Sequence, residues 1–106
     1  MNKPVRLDPL AVDELTAAEA WYEEQAGLGS DFVAAVREAG NRIADRPQAF
    51  PLAPGVPALL GVRRCPVRRF PYRLCFIELA DEIRVLAVAH NHRRPGYWLG
   101  RAQGDQ

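Results

Sequence analysis

Residues 83–90 read IRVLAVAH. A half-buried strand alternates apolar and polar residues. This one is predicted to carry Ile83, Val85, Ala87 and Ala89 on one face and Leu86 and Val88 on the other. A strand apolar on both faces is buried on both. It therefore belongs inside a sheet, with a layer of protein against each side. The preceding run, YRLCFIEL at 72–79, is a second β-rich stretch, and Ala80-Asp81-Glu82 turns it back into an antiparallel hairpin. Upstream, residues 62–70 form another β-rich run. Pro66 interrupts it, and a proline that cannot donate to the ladder points to an edge position or a bulge. Strands are expected at 62–70, 72–80 and 83–91.

The first half has helical periodicity instead. A short strand is expected over 4–8. Asp8-Pro9 then supplies an N-cap and an N1 proline. Leu15, Ala18 and Trp21 or Tyr22 recur at helical spacing, both aromatics are assigned to the core, and the interspersed acids, Glu14 among them, face solvent. Gly27-Leu28-Gly29 ends that helix. The next carries Phe32, Val36, Ala39 and Ile43 as its apolar stripe and stops before Pro47. Helices are therefore expected at 9–26 and 30–46, joined so tightly that they lie antiparallel and need a sheet to cover. Residues 47–61, PQAFPLAPGVPALLG, hold four prolines and two glycines. They read as an ordered connection docked through Phe50, Leu59 and Leu60. The helical hairpin covers one face of the strand at 83–90, so the tail or a partner must cover the other. The fold class is α+β, in one domain spanning 1–106, with order β-α-α-β-β-β and the last three strands an antiparallel meander.

At 106 residues the chain can bury roughly two-thirds of its unfolded surface. It has no apolar run long enough to span a membrane. The N-terminus turns acidic where a signal peptide would be apolar, so a cytoplasmic location is expected. Cys65 and Cys75 lack metal-site spacing and read as reduced, buried thiols. The charge is asymmetric. Residues 1–60 carry five Lys/Arg against nine Asp/Glu, a balance of −4, while residues 61–106 carry nine Arg against four acids, a balance of +5. Arginine-only clustering favours a polyanionic or acidic protein partner.

The segments AWYEEQAGLGSDFVAAV, VRRCPVRRFPYRLCF and IRVLAVAHNHRRPGYW together resemble the RelE/ParE superfamily of toxins from type II toxin–antitoxin modules, over about residues 4–101. The resemblance implies a small antiparallel sheet curled around two helices and a labile antitoxin as partner, in a toxin–antitoxin hetero-oligomer without membrane attachment. RelE-like members cut messenger RNA on the ribosome. ParE-like members inhibit DNA gyrase and need no hydrolytic site. The junction HNHRRPGYW, residues 90–98, fits the second group better, and the sheet lysines of RelE-type nucleases are missing: Lys3 is the sole lysine. The expected function is thus a ParE-like toxin. The alternatives are a metal-independent endoribonuclease or a regulatory member that only binds antitoxin.

For cleavage, His90, Tyr97, Arg64 and Arg73 have the required residue types: histidine exchanges a proton near neutral pH, and arginine stabilises phosphate charge. For target or nucleic-acid binding the candidates are Arg64, Arg68, Arg69, Arg73, His92, Arg93, Arg94 and Arg101. For antitoxin binding they are Leu86, Val88, His90 and Trp98. His90 and His92 supply two ligand types where a zinc site needs four, so neither a metal nor any other cofactor is expected.

Overall fold

In the computed structural model, which describes residues 2–102, the order is β1 (Val5–Leu7), α1 (Pro9–Ala26), α2 (Gly29–Asp45), β2 (Arg63–Val67), β3 (Tyr72–Glu78), β4 (Ile83–His90) and a four-residue helix α3 (Leu99–Ala102). Residues 1 and 103–106 of the expected domain lie outside the described residues. No helix among the described residues is long and apolar enough to cross a membrane.

Local chemistry sets the helix ends. The Asp8 side chain accepts from the Leu10 backbone N–H at 2.9 Å, and Pro9 occupies the first turn. Gly27 takes the left-handed conformation, φ 68°, and closes α1. The second helix starts at Gly29, a residue earlier than expected, and its Leu28 cap has no side-chain bond. Glu23 reaches across instead, its Oε1 accepting from the Gly29 N–H at 3.1 Å. Phe32, Val36, Ala39 and Ile43 are all buried, as the stripe predicts.

The sheet order is β1-β4-β3-β2. The last three strands form the expected antiparallel meander, and β4 is interior. β1 joins parallel to β4, with Val5 opposite Ile83 and Leu7 opposite Val85, which makes the sheet mixed. A parallel pair needs a crossover, and here everything from α1 to β3 supplies it. Pro66 lies on the edge strand β2. That strand ends at Val67 instead of residue 70, because the chain turns through Arg69 at φ 76°. β3 and β4 each stop short of their expected ends, at Glu78 and His90.

The alternation in β4 is broken. Cys75 pairs with Ala87 and Phe76 with Val85, so Leu86 is an extra residue, a β-bulge. The bulge resets the faces. Ile83, Val85 and Val88 pack with the helices, whereas Leu86, Ala87 and Ala89 pack on the opposite side. The expected grouping of Leu86 with Val88, and of Ala87 and Ala89 with Ile83, is corrected accordingly. The second layer is supplied by the chain itself: Ala53, Val62 and Trp98 close over the outer face.

Two apolar residues depart from expectation. Tyr22 packs on Phe32, Phe70 and Tyr72 at ring-centroid distances of 5.2, 4.9 and 6.3 Å, but Trp21 is 57% exposed. Neighbouring helical residues diverge, so only one can face the core. Leu59 is fully exposed for the same reason, since Leu60 takes the inward position of the 3-10 turn Ala58–Leu60. Both cysteines are free and buried, Cys65 under the helices and Cys75 under the outer layer.

Candidate functional site

Arg64 on β2 stands opposite Cys75, and Arg73 on β3 stands opposite Pro66, so the two arginines are diagonal neighbours across the strand pair. They line one cleft. Its open part, about 440 Å³, is bounded by Pro51, Arg64, Pro66, Arg73 and Asn91. Its narrow end, about 100 Å³, adds Cys75, Pro95 and Trp98 to the same two arginines and Asn91. Arg73 Nη1 donates to the His90 carbonyl at 3.1 Å and to Asn91 Oδ1 at 3.5 Å. The Arg64 side chain makes no hydrogen bond or ion pair among the described residues. Burial pushes the Cys75 thiol up to about 11, against the lowering effect of Arg73, so it stays protonated at neutral pH.

The rim of the cleft is the junction that follows β4. Asn91 N–H donates to the Pro71 carbonyl at 2.9 Å, and Gly96 turns the chain at φ 83°. The Arg93 guanidinium lies 3.9 Å from the Tyr97 ring centroid, a cation–π contact. Tyr97 Oη donates to Glu14 Oε2 at 2.8 Å, and Arg101 Nη1 donates to Glu14 Oε1 and to the Leu86 carbonyl, both at 3.0 Å. Glu14 Oε1 also accepts from the Val88 backbone N–H at 3.0 Å.

The solvent role expected for Glu14 is therefore corrected. Parallel pairing with β1 ends at Val85, which leaves the Leu86 carbonyl and the Val88 N–H of β4 without a strand partner on that side. The Glu14–Arg101 pair takes their place and fastens the C-terminal segment over the outer face. One signal for this was present in the sequence. Residues 11, 14 and 18 share a helix face, and Ala11 and Ala18 are core positions, so an acid between them sits beside the buried stripe.

The other expected residues scatter. Arg68 and Arg69 lie at the far turn beside Glu38 and Asp31, at 3.3 and 3.9 Å. Arg101 is half-buried on Glu14. Arg94 and His92 are exposed on the rim loop. The His90 ring packs edge-on against Tyr72, which belongs to the helix-side core, and against His92, each at 5.1 Å. Its Nδ1 accepts from the His92 N–H at 3.0 Å. Among the four residues weighed for cleavage, Arg64 and Arg73 share a cleft, His90 lies against Tyr72, and Tyr97 Oη is committed to Glu14. Burial, and then the bond to Glu14, raise the Tyr97 pKa further above its already alkaline value. Leu86, Val88 and Trp98 are buried, Trp98 to 1% exposure, so the chain itself already covers the surface they were expected to offer an antitoxin.

A large groove lies on the other side of the sheet, beside the edge strand β1. It has a volume of about 410 Å³ and is lined by Val5, Leu7, Leu15, Val33 and Val36, with Arg37 also on its wall. Among the described residues no group of three or more His, Cys, Asp or Glu side chains is arranged to hold a metal.

Residues 5–95 match the family described as ParE toxin of type II toxin–antitoxin system, parDE. No functionally curated protein matches the chain. Among solved structures, a chain of the chromosomal ParDE TA system from P. aeruginosa is similar, with 21% identity and a TM-score of 0.70 over 83% of this chain and 95% of that one.

Proposed function

The chain belongs to the ParE toxin family of type II toxin–antitoxin systems, and on that premise we propose that it inhibits DNA gyrase by binding through its outer sheet face. One observation carries the reading. Arg64, Arg73, Arg93 and Arg94 gather around the cleft and its rim, and none has a carboxylate partner among the described residues. The other basic residues are often matched, as in Arg42 and Arg68 with Glu38, Arg84 with Glu82 and Arg101 with Glu14. Fixed positive charge held apart from acids suits a target that presents negative charge, such as an enzyme–DNA complex. The ribonuclease alternative is less well supported. The family match is to ParE toxins, and the proton-transferring candidates His90 and Tyr97 do not converge on the Arg64–Arg73 cleft.

The partner in this reading is a cognate antitoxin, and the compartment is the cytoplasm, where gyrase works. The groove beside β1 suits the antitoxin. Its lining is mostly apolar, and β1 leaves one strand edge open to pair with an extended segment. The deciding experiment is DNA supercoiling by purified gyrase with increasing toxin. Inhibition is expected, and Arg64→Gln should weaken it more at low salt than at high salt. Undiminished supercoiling together with ribosome-dependent transcript cleavage would replace this reading with the nuclease.

A further inference from the structure

We propose that the closed end of the arginine cleft is a phosphate site, which takes one phosphodiester of a nucleic-acid backbone. Two guanidiniums from adjacent strands border a space of about 100 Å³ without a carboxylate to neutralise them. A second, independent observation comes from Trp98. It forms part of the same wall and is 1% exposed, yet its Nε1 is the buried side-chain polar atom that lacks an acceptor among the described residues. Buried N–H groups are paired in the great majority of cases. An oxyanion seated between Arg64 and Arg73 brings acceptor oxygens for both guanidiniums beside the Trp98 wall. The remaining wall offers no competing charge: Ala53, Pro54, Pro95 and the protonated Cys75 thiol are neutral. In such surroundings a charge-assisted bond is stronger than in water.

A nucleic acid fits better than an acidic peptide because the charge continues beyond the pocket. Arg93 and Arg94 follow Asn91 along the rim, exposed, and they extend the positive face past the room needed for a single anion. A polymer with regularly repeated charge uses such a row. One carboxylate does not need it. The site deepens the reading of this face as the target surface.

The test uses Trp98 as its reporter. Trp21→Phe leaves Trp98 as the sole tryptophan, and Trp21 is exposed on α1 and absent from the cleft wall. In low salt, a single-stranded DNA 12-mer and its RNA counterpart are titrated against Trp98 emission, with polyglutamate of equal charge as the control. Inorganic phosphate serves as competitor. The expected result is a Trp98 shift with DNA, RNA or both, reversed by phosphate. Arg64→Gln and Arg73→Gln should each lower affinity about tenfold, the loss of one charge-assisted contact. Each should also reduce the slope of log affinity against log salt by about 0.7. Arg64→Gln breaks no intramolecular bond, so an unchanged melting midpoint establishes that it is folded. A silent Trp98, unchanged affinity in both variants, or equal binding of polyglutamate overturns the site. Gyrase inhibition without oligonucleotide binding overturns the phosphate site and leaves the gyrase reading standing. Oligonucleotide binding without gyrase inhibition does the reverse.

Discussion

Glu14 shows how much one carboxylate can hold together. It bonds a backbone N–H of the central strand, a phenol and a guanidinium, and so ties α1, β4 and the C-terminal segment into one joint. Glu14→Ala leaves the Val88 N–H and the Tyr97 hydroxyl without their acceptor and Arg101 without its carboxylate. The expected cost is about 3 kcal/mol, read as a drop in the urea midpoint. Glu14→Gln keeps an acceptor oxygen and should cost less. A loss below about 0.5 kcal/mol for the alanine variant would refute the joint. Cys75 gives a pH dependence. Burial pushes its thiol up to about 11 from an ordinary value of 9.0, so above pH 9 the unfolded chain binds fewer protons than the folded one. Stability must then fall between about pH 9 and 11. Cys65, Tyr22, Tyr72 and Tyr97 are all raised as well, each first by burial, and act in the same direction. Urea midpoints measured at pH 8 and 10.5 should differ, and Cys75→Ala should reduce the difference. Identical midpoints would contradict the linkage.

At the level of elements, some features were legible because they are written in local chemistry. The Asp8-Pro9 start, the Gly27 stop, the α2 stripe and the interior place of β4 each depend on a few neighbouring residues. The parallel docking of β1 and the bulge at Leu86 were not legible. The first depends on pairing across nearly the whole chain, the second on which residue of an all-apolar run is squeezed out of the ladder. That one residue changed the face of Ala87, Val88 and Ala89, and with it the reading of which side a partner would meet. The candidate site was half legible: Arg64 and Arg73 were named together, while the fastening of Tyr97 and Arg101 required knowing that Glu14 was near. The α1–α2 corner yields its own prediction. A Cβ on Gly29 would lie 2.9 Å from Glu23 Oε1 and 3.0 Å from the Glu19 carbonyl oxygen. The glutamate can swing away, but it then gives up its bond to the Gly29 N–H, and the carbonyl is fixed. Gly29→Ala should therefore destabilise by about 1–2 kcal/mol despite alanine's better helix propensity. A melting midpoint equal to or above the parent's would show that the corner relaxes freely.

Across the whole molecule, the cationic cleft and the apolar groove beside β1 share none of their lining residues. Toxicity and neutralisation should therefore separate under mutation. Val33→Glu places a charge in the groove at a half-buried position. It should weaken antitoxin binding at least tenfold while growth arrest persists, so co-expressed antitoxin would no longer rescue cells. Arg64→Gln should do the opposite, keeping antitoxin binding and losing arrest. Binding by calorimetry and colony counts after induction check both. Parallel loss of the two properties in either variant would mean that the surfaces are one.

The parallel pairing of β1 with β4 also has a consequence in time. Val5 waits for Ile83, and Glu14 waits for Val88, Tyr97 and Arg101. Long-range closures of this kind slow folding. A chain growing at about 5–20 residues per second spends several seconds with its first strand made and no place to put it. During synthesis the growing chain thus has neither a finished cleft nor its rim. A ParE-family chain built this way completes neither its target cleft nor the groove beside β1 until its last quarter is made.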